Sequence, residues 1–214
     1  KSSRNVSGFP QILRRLKTNL KQVVVVTGIP GSGKTTICNL AKEIAEKQKG
    51  KSIAIINFGT VMVELLEKRG EAMHRDFLRK SDLGFQRKLQ REAAETISRR
   101  ISNSEGIVII DTHMSVKTSK GFLPGLPQHV LEALNPTLFV LVEAPAEQIL
   151  SRRMKDVSRL RDKVVEEDIR QELLFSRLMA GSCAVLTGAP VKIVINEQGK
   201  QKEAALKLLE AMEL

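Results

Sequence analysis

Eight residues, Gly28-Ile29-Pro30-Gly31-Ser32-Gly33-Lys34-Thr35, stand directly behind the apolar run Val23-Val24-Val25-Val26-Thr27 and ahead of an amphipathic stretch. A Gly-rich loop between a strand and a helix is the arrangement that holds phosphate. Glycines at 28, 31 and 33 let the backbone fold back and aim successive N–H groups at phosphate oxygens, while the N-terminus of the next helix adds positive potential. Lys34 is placed to reach the β- and γ-phosphates. Thr35 is placed to give its hydroxyl to Mg²⁺, a hard cation that takes few protein ligands and shares the phosphate oxygens. Gly28, Ile29, Pro30, Gly31, Ser32, Gly33, Lys34, Thr35 and Thr36 make up the expected nucleotide-binding set, with Thr36 read as helix packing. The chain is therefore expected to bind a nucleoside triphosphate.

Other residues could complete that chemistry. Asp111 closes the run Ile107-Val108-Ile109-Ile110, the position from which a second carboxylate holds Mg²⁺ or its water in phosphate-loop enzymes. His113, two residues on, could contact phosphate or a base, or serve as a structural hydrogen-bonding group. Residues 152–163 hold six cations in twelve residues, among them Arg152, Arg153, Arg159 and Arg161. Phosphoryl transfer needs cations over the oxygens of the moving group, and arginine binds them bidentately without losing its charge. This run is expected to be a mobile basic lid that excludes water. After the second apolar run, Asn57-Phe58-Gly59-Thr60 enters a helical pattern, and Arg75 and Arg79 follow, as a second phosphate-bearing substrate would require. Gly121 to Pro127 reads as a rigid loop punctuated by Gly and Pro.

The elements that must position these residues alternate along the chain. Apolar runs at Val23 to Thr27, Ile53 to Asn57, Ile107 to Asp111, Leu138 to Glu143 and Val191 to Ile195 are separated by helical patterns near Gly33 to Lys47, Val61 to Arg69, Asp82 to Ile101, Ala146 to Lys155, Glu166 to Val185 and Lys200 to Met212. Short, nearly continuous apolar strands between helices predict an α/β fold, an open doubly wound five-stranded parallel sheet covered on both faces. Ligands in such sheets bind beyond the carboxyl ends of the strands. Residues 1–22 carry six Lys or Arg and no acidic residue, with Ile12, Leu13, Leu16 and Leu20 at helical spacing, and so predict a basic amphipathic extension.

The 214 residues, 42% hydrophobic, suit one large domain with an insertion. No apolar run has the roughly 18 residues of a membrane span. Cys38 and Cys183 lie far apart without His or Cys at ligand spacing, which argues against zinc and against a disulfide scaffold and fits a reducing, cytoplasmic setting. The net charge of +11 suits either nucleic acid or a substrate carrying several phosphates. With no Tyr or Trp and seven Phe, a stacking platform for single strands is poorly supplied.

Together these segments resemble the archaeal type of adenylate kinase. The resemblance rests on the loop at 25–35, Ile56-Asn57-Phe58-Gly59, His74-Arg75-Asp76 with Arg79-Lys80, Asp111-Thr112-His113, Gly121 to Pro127, Asn135-Pro136, Glu143-Ala144, Ser151-Arg152-Arg153 and Arg159-x-Arg161-Asp162. It implies Mg²⁺-dependent, reversible phosphoryl transfer from ATP to AMP giving two ADP, a kinase domain over 23–214, a monophosphate-binding segment near 57–101, a lid near 152–163 and a homotrimer. It also implies roles: Lys34, Arg152, Arg153, Arg159 and Arg161 in catalysis, Asn57, Gly59, Arg79 and His113 at AMP, and Thr35 and Asp111 at the metal. Thr60 departs from the family's Asn-x-Gly-Asp, Lys155 stands where arginine is common, and residues 1–22 have no counterpart. The competing readings are a kinase for another base, and a nucleotide-regulated RNA- or ribosome-associated protein using the basic extension.

Overall fold

The computed structural model describes residues 21–71, 81–118, 121–155 and 165–214. The expected N-terminal basic helix, Arg75, Arg79, Arg159 and Arg161 lie outside the described residues. Strands β1 (Gln22–Thr27), β2 (Ile53–Asn57), β3 (Ile107–Thr112), β6 (Leu138–Glu143) and β7 (Val191–Ile195) form one sheet in the order β2-β3-β1-β6-β7. Every neighbouring pair is parallel, so the five expected strands and their doubly wound arrangement are present. The sheet begins at Gln22, which pairs with Ile107, one residue ahead of the expected start.

Both faces of the sheet are dry because β-branched residues fill both parities of the central strands. Val23 and Val25 pack with Val108, Ile110, Phe139 and Leu141 on one face, while Val24 and Val26 pack with Ile109, Val140 and Val142 on the other. Helices α2 (Phe58–Glu67), α3 (Leu83–Asn103), α4 (Gln128–Leu134) and α6 (Glu166–Thr187) cover the first face. Helices α1 (Lys34–Lys49) and α7 (Gln201–Ala211) cover the second with Ile37, Cys38, Ala41, Ile44 and Ala45 against Ala204, Ala205, Leu208 and Leu209. Each fully buried Ile or Leu contributes roughly 1.5–3 kcal/mol. Burial in this layer pushes the Cys38 thiol up to about 12, so it stays protonated at neutral pH and packs as a small apolar group.

Two features differ from the sequence reading. The segment expected as a rigid loop over Gly121 to Pro127 is instead an antiparallel hairpin arm, β5 (Gly121–Pro124), paired with β4 (Ser115–Thr118), after which the chain enters α4. Helix α2 starts three residues before the expected Val61, because Asn57 caps it by accepting the Thr60 N–H at 2.9 Å. Helix α5 (Ala146–Lys155) follows β6 and carries Arg152, Arg153 and Lys155 in its last turn, where cations complement the helix dipole.

Candidate active site

All five carboxyl ends of the parallel strands contribute to one region: Gly28 after β1, Asn57 ending β2, Asp111-Thr112-His113 at β3, Glu143 ending β6 and Asn196 after β7. The parallel register sets Asp111 beside both Val26 and Asn57, which brings the phosphate loop and the second-strand turn to one carboxylate.

The loop between β1 and α1 is held from several sides. Ile29 is buried with Ala144, Ala146, Ile149 and Ile169, and Ser32 is fully buried. Gly28 runs so close to β6 that a Cβ there would lie 2.4 Å from the Val142 carbonyl. Gly33, with φ +86°, caps α1 without a side-chain partner, and no acidic residue occupies the first turn of that helix. The positive end of α1 and its free N–H groups therefore remain available to an anion. His113 Nδ1 donates to the Gly28 carbonyl at 2.7 Å and so braces the loop from β3. Thr36, expected to pack, is exposed on α1, because the buried stripe of that helix runs through Ile37, Cys38 and Ala41 instead.

Asp111 is the hub. It is 1% exposed and ion-paired with Lys34 through Oδ1. Its Oδ2 accepts Thr35 Oγ1 at 3.0 Å and Asn57 Nδ2 at 2.9 Å. Burying this carboxylate is tolerable only because a cation and two hydrogen-bond donors meet it. The amide oxygen of Asn57 accepts the Thr60 N–H at 2.9 Å and the Thr60 hydroxyl at 3.1 Å. Thr60 thus orients Asn57 and is not among the residues lining the cleft.

That cleft is lined by Lys34, Asp111, Thr112 and His113, by Asn57, Phe58 and Gly59, and by Met62, Gln86, Gln90, Val116 and Leu123. Its lining includes the apolar side chains of Met62, Val116 and Leu123 and two buried amides. Gln86 Nε2 donates to the Ser81 carbonyl at 2.8 Å and Gln90 Nε2 to the Pro124 carbonyl at 3.2 Å. Gln90 Oε1 is buried and makes no hydrogen bond among the described residues. Sequence reasoning missed Gln86 and Gln90, although two glutamines four apart on the apolar side of a helix were a visible signal. It also missed Asn196, which the rule of inspecting the residue after each strand would have found.

The basic residues after β6 reach the phosphate loop. Arg153 Nε donates to the Pro30 carbonyl at 2.7 Å, and its Nη atoms grip Glu172 of α6 at 3.2 and 2.6 Å. Arg152 donates through Nη1 to the Gly31 and Ser32 carbonyls at 3.3 and 3.4 Å and through Nη2 to the Asn196 carbonyl at 3.2 Å. Burial lowers the pKa of Arg152 from its ordinary value. In this arrangement both arginines brace loop carbonyls. Lys155 is exposed at the end of α5.

A doubly wound parallel sheet with a strand, Gly-rich loop and helix at its centre and a buried Lys–Asp pair opening into a cleft is the arrangement of a phosphate-loop kinase. A family model described as an AAA domain matches residues 27–170. Adenylate kinase from Methanocaldococcus jannaschii is 44% identical over 191 residues, 89% of this chain and 98% of the relative. Adenylate kinase from Thermoplasma acidophilum is 43% identical over 181 residues, 85% and 93% of the two chains. The chain belongs to the adenylate kinase family. Shikimate kinase from Acinetobacter baumannii in complex with shikimate shares the fold at TM-score 0.56 and 17% identity, covering 93% of this chain and 96% of that one. The Deinococcus radiodurans tunicamycin resistance protein shares it at TM-score 0.54 and 11% identity, covering 91% and 97%.

Proposed function

We propose that this chain transfers the γ-phosphoryl group of ATP to AMP, reversibly, giving two ADP. The observation that carries this is the shared cleft, lined by Lys34 and Asp111, by Asn57, Gly59 and His113, and by Gln86 and Gln90 beside Met62, Val116 and Leu123. Two nucleotides sharing this cleft would meet with their phosphates over Lys34. The acceptor is already an anionic phosphate oxygen, so no general base is needed, and catalysis reduces to alignment and charge stabilisation. Lys34 holds the donor phosphates. The family resemblance assigns Arg159 and Arg161 to the transferring group and Arg79 to the AMP phosphate, while Arg152 and Arg153 hold the loop that carries the donor. Thr35 Oγ1 and Asp111 Oδ2, hard oxygen atoms 3.0 Å apart, fit Mg²⁺, which would keep its remaining positions for water and phosphate oxygens. When bound, the ion neutralises charge on the β- and γ-phosphates.

Base selection falls to Gln90. Its unpaired Oε1 can accept from the exocyclic amino group of adenine, where guanine presents a carbonyl. Gln90→Leu is expected to raise the KM for AMP by roughly 10–100-fold, leave the KM for ATP unchanged and narrow the preference for AMP over GMP. Steady-state kinetics with each monophosphate checks this, and an unchanged AMP/GMP ratio would assign base reading elsewhere.

The chain is also proposed to self-associate, as a trimer by resemblance. Leu174, Leu178, Gly181 and Val185 form a stripe at helical spacing along the exposed side of α6, beside Ile193 and Ile195 of β7, the outer strand of the sheet. An apolar face on an unpaired edge strand fits a second copy of this chain. Leu178→Glu is expected to reduce the sedimenting species to a single chain. Wild-type protein that already sediments as a single chain would contradict the assembly. A cytoplasmic setting suits Cys38 and Cys183, both buried thiols without a disulfide.

A further inference from the structure

We propose that Asn196 is a positioning residue for the donor nucleotide, holding the Ser32–Gly33 peptide so that the Gly33 N–H faces the phosphates. This rests on the reading that the loop over Gly28 to Thr35 binds the donor triphosphate. Asn196 follows the last residue of β7 and is anchored by its own N–H, which donates to the Glu143 carbonyl at 2.7 Å. Its side-chain Nδ2 donates to the Ser32 carbonyl at 2.7 Å. Arg152 reinforces the same carbonyl and also grips the Asn196 carbonyl. In a planar trans peptide the C=O and the following N–H point in opposite directions. Drawing the Ser32 carbonyl toward Asn196 therefore turns the Gly33 N–H the other way, to the side from which a phosphate approaches.

The fit is close. A Cβ on Gly33 would lie 2.2 Å from Asn196 Nδ2, so glycine at 33 is required by this side chain as well as by its positive φ. Asn196 is 1% exposed, and its Oδ1 makes no hydrogen bond among the described residues. The amide cannot be turned to relieve that oxygen, because its nitrogen must face a carbonyl. A buried acceptor without a partner disfavours folding. An apolar side chain would fill this position without an unpaired oxygen, so what the amide adds here is its donor to the Ser32 carbonyl.

The test compares Asn196→Ala and Asn196→Asp with the wild-type chain by calorimetric titration of a β,γ-imido ATP analogue and, separately, AMP. Loss of the donor is expected to weaken the ATP analogue about tenfold while AMP affinity stays within about twofold. The KM for ATP should rise by a similar factor, and kcat at saturating ATP should stay within about threefold of wild type. In the unmodified chain, exchange of the Asn196 side-chain amide protons should slow on binding the ATP analogue and not on binding AMP. Unchanged ATP affinity would overturn the proposal. So would parallel weakening of both nucleotides with a lowered Tm, or failure of the variants to fold, because either assigns Asn196 to fold maintenance. Wild-type protein that binds no ATP analogue would instead defeat the phosphate-loop reading itself.

Discussion

Lys34→Ala is expected to lower kcat by roughly 10³-fold or more while the chain remains folded. The lysine is the cation of the loop, buried where it lines the shared cleft and paired there with Asp111. Charge developing on the transferred group meets few water molecules there, so the ammonium acts at low effective dielectric. Removing one partner of a buried pair also exposes the other to an unfavourable burial. Here Asp111 keeps Thr35 and Asn57 as donors. The stability loss is therefore expected near 1–3 kcal/mol, below the full cost of an orphaned buried charge. At about 2–4 °C per kcal/mol for a chain of this size, Tm should fall by only several degrees. Turnover by coupled assay, with a thermal melt of the same sample, separates the two effects. A well-folded variant retaining most of its turnover would remove Lys34 from the mechanism.

Asp111→Asn is expected to be the second most damaging change. The amide preserves the shape of the side chain but cancels the charge that pairs with Lys34, and it turns one acceptor into a donor facing either Lys34 or the Thr35 and Asn57 donors. Turnover at moderate Mg²⁺ should drop by about 10²-fold, and the Mg²⁺ concentration giving half-maximal rate should rise. Chelation of Mg²⁺ should silence the wild-type chain, and the metal should restore it. A Mg²⁺ titration of rate for both proteins reads this directly. A variant with lowered kcat but an unshifted Mg²⁺ requirement would confine Asp111 to holding Lys34.

The five strands could be read from the chain because the central strands of the parallel sheet are dry on both faces and so are uninterrupted apolar runs, while the edge strand β7 keeps a nearly continuous run broken only by Lys192. The phosphate loop was equally legible, since phosphate binding demands glycine, lysine and threonine at fixed spacing. The β4–β5 hairpin was not. Its strands are four residues each and only partly buried, and Gly121 and Pro124 at the ends of the second read as loop punctuation. Gln86 and Gln90 stood out only as two amides four apart on the buried stripe of their helix, and helical periodicity marks those positions as buried without saying that they face a cleft. Asn196 makes its contact with Ser32 across 164 residues of sequence, and no local pattern records such a pairing. Thr60 looked like a lost carboxylate, yet the fold uses it to orient Asn57, whose other atom meets Asp111.

The most direct test of the two-nucleotide cleft is turnover with Mg-ATP and each of AMP, GMP, CMP and UMP in parallel, with products resolved by chromatography. Two ADP formed for every AMP consumed, with GMP, CMP and UMP poor acceptors, is the expected result. ATP hydrolysis with no transfer to any monophosphate, accompanied by salt-sensitive binding of RNA, would contradict it and leave the cleft as a nucleotide sensor in a binding protein.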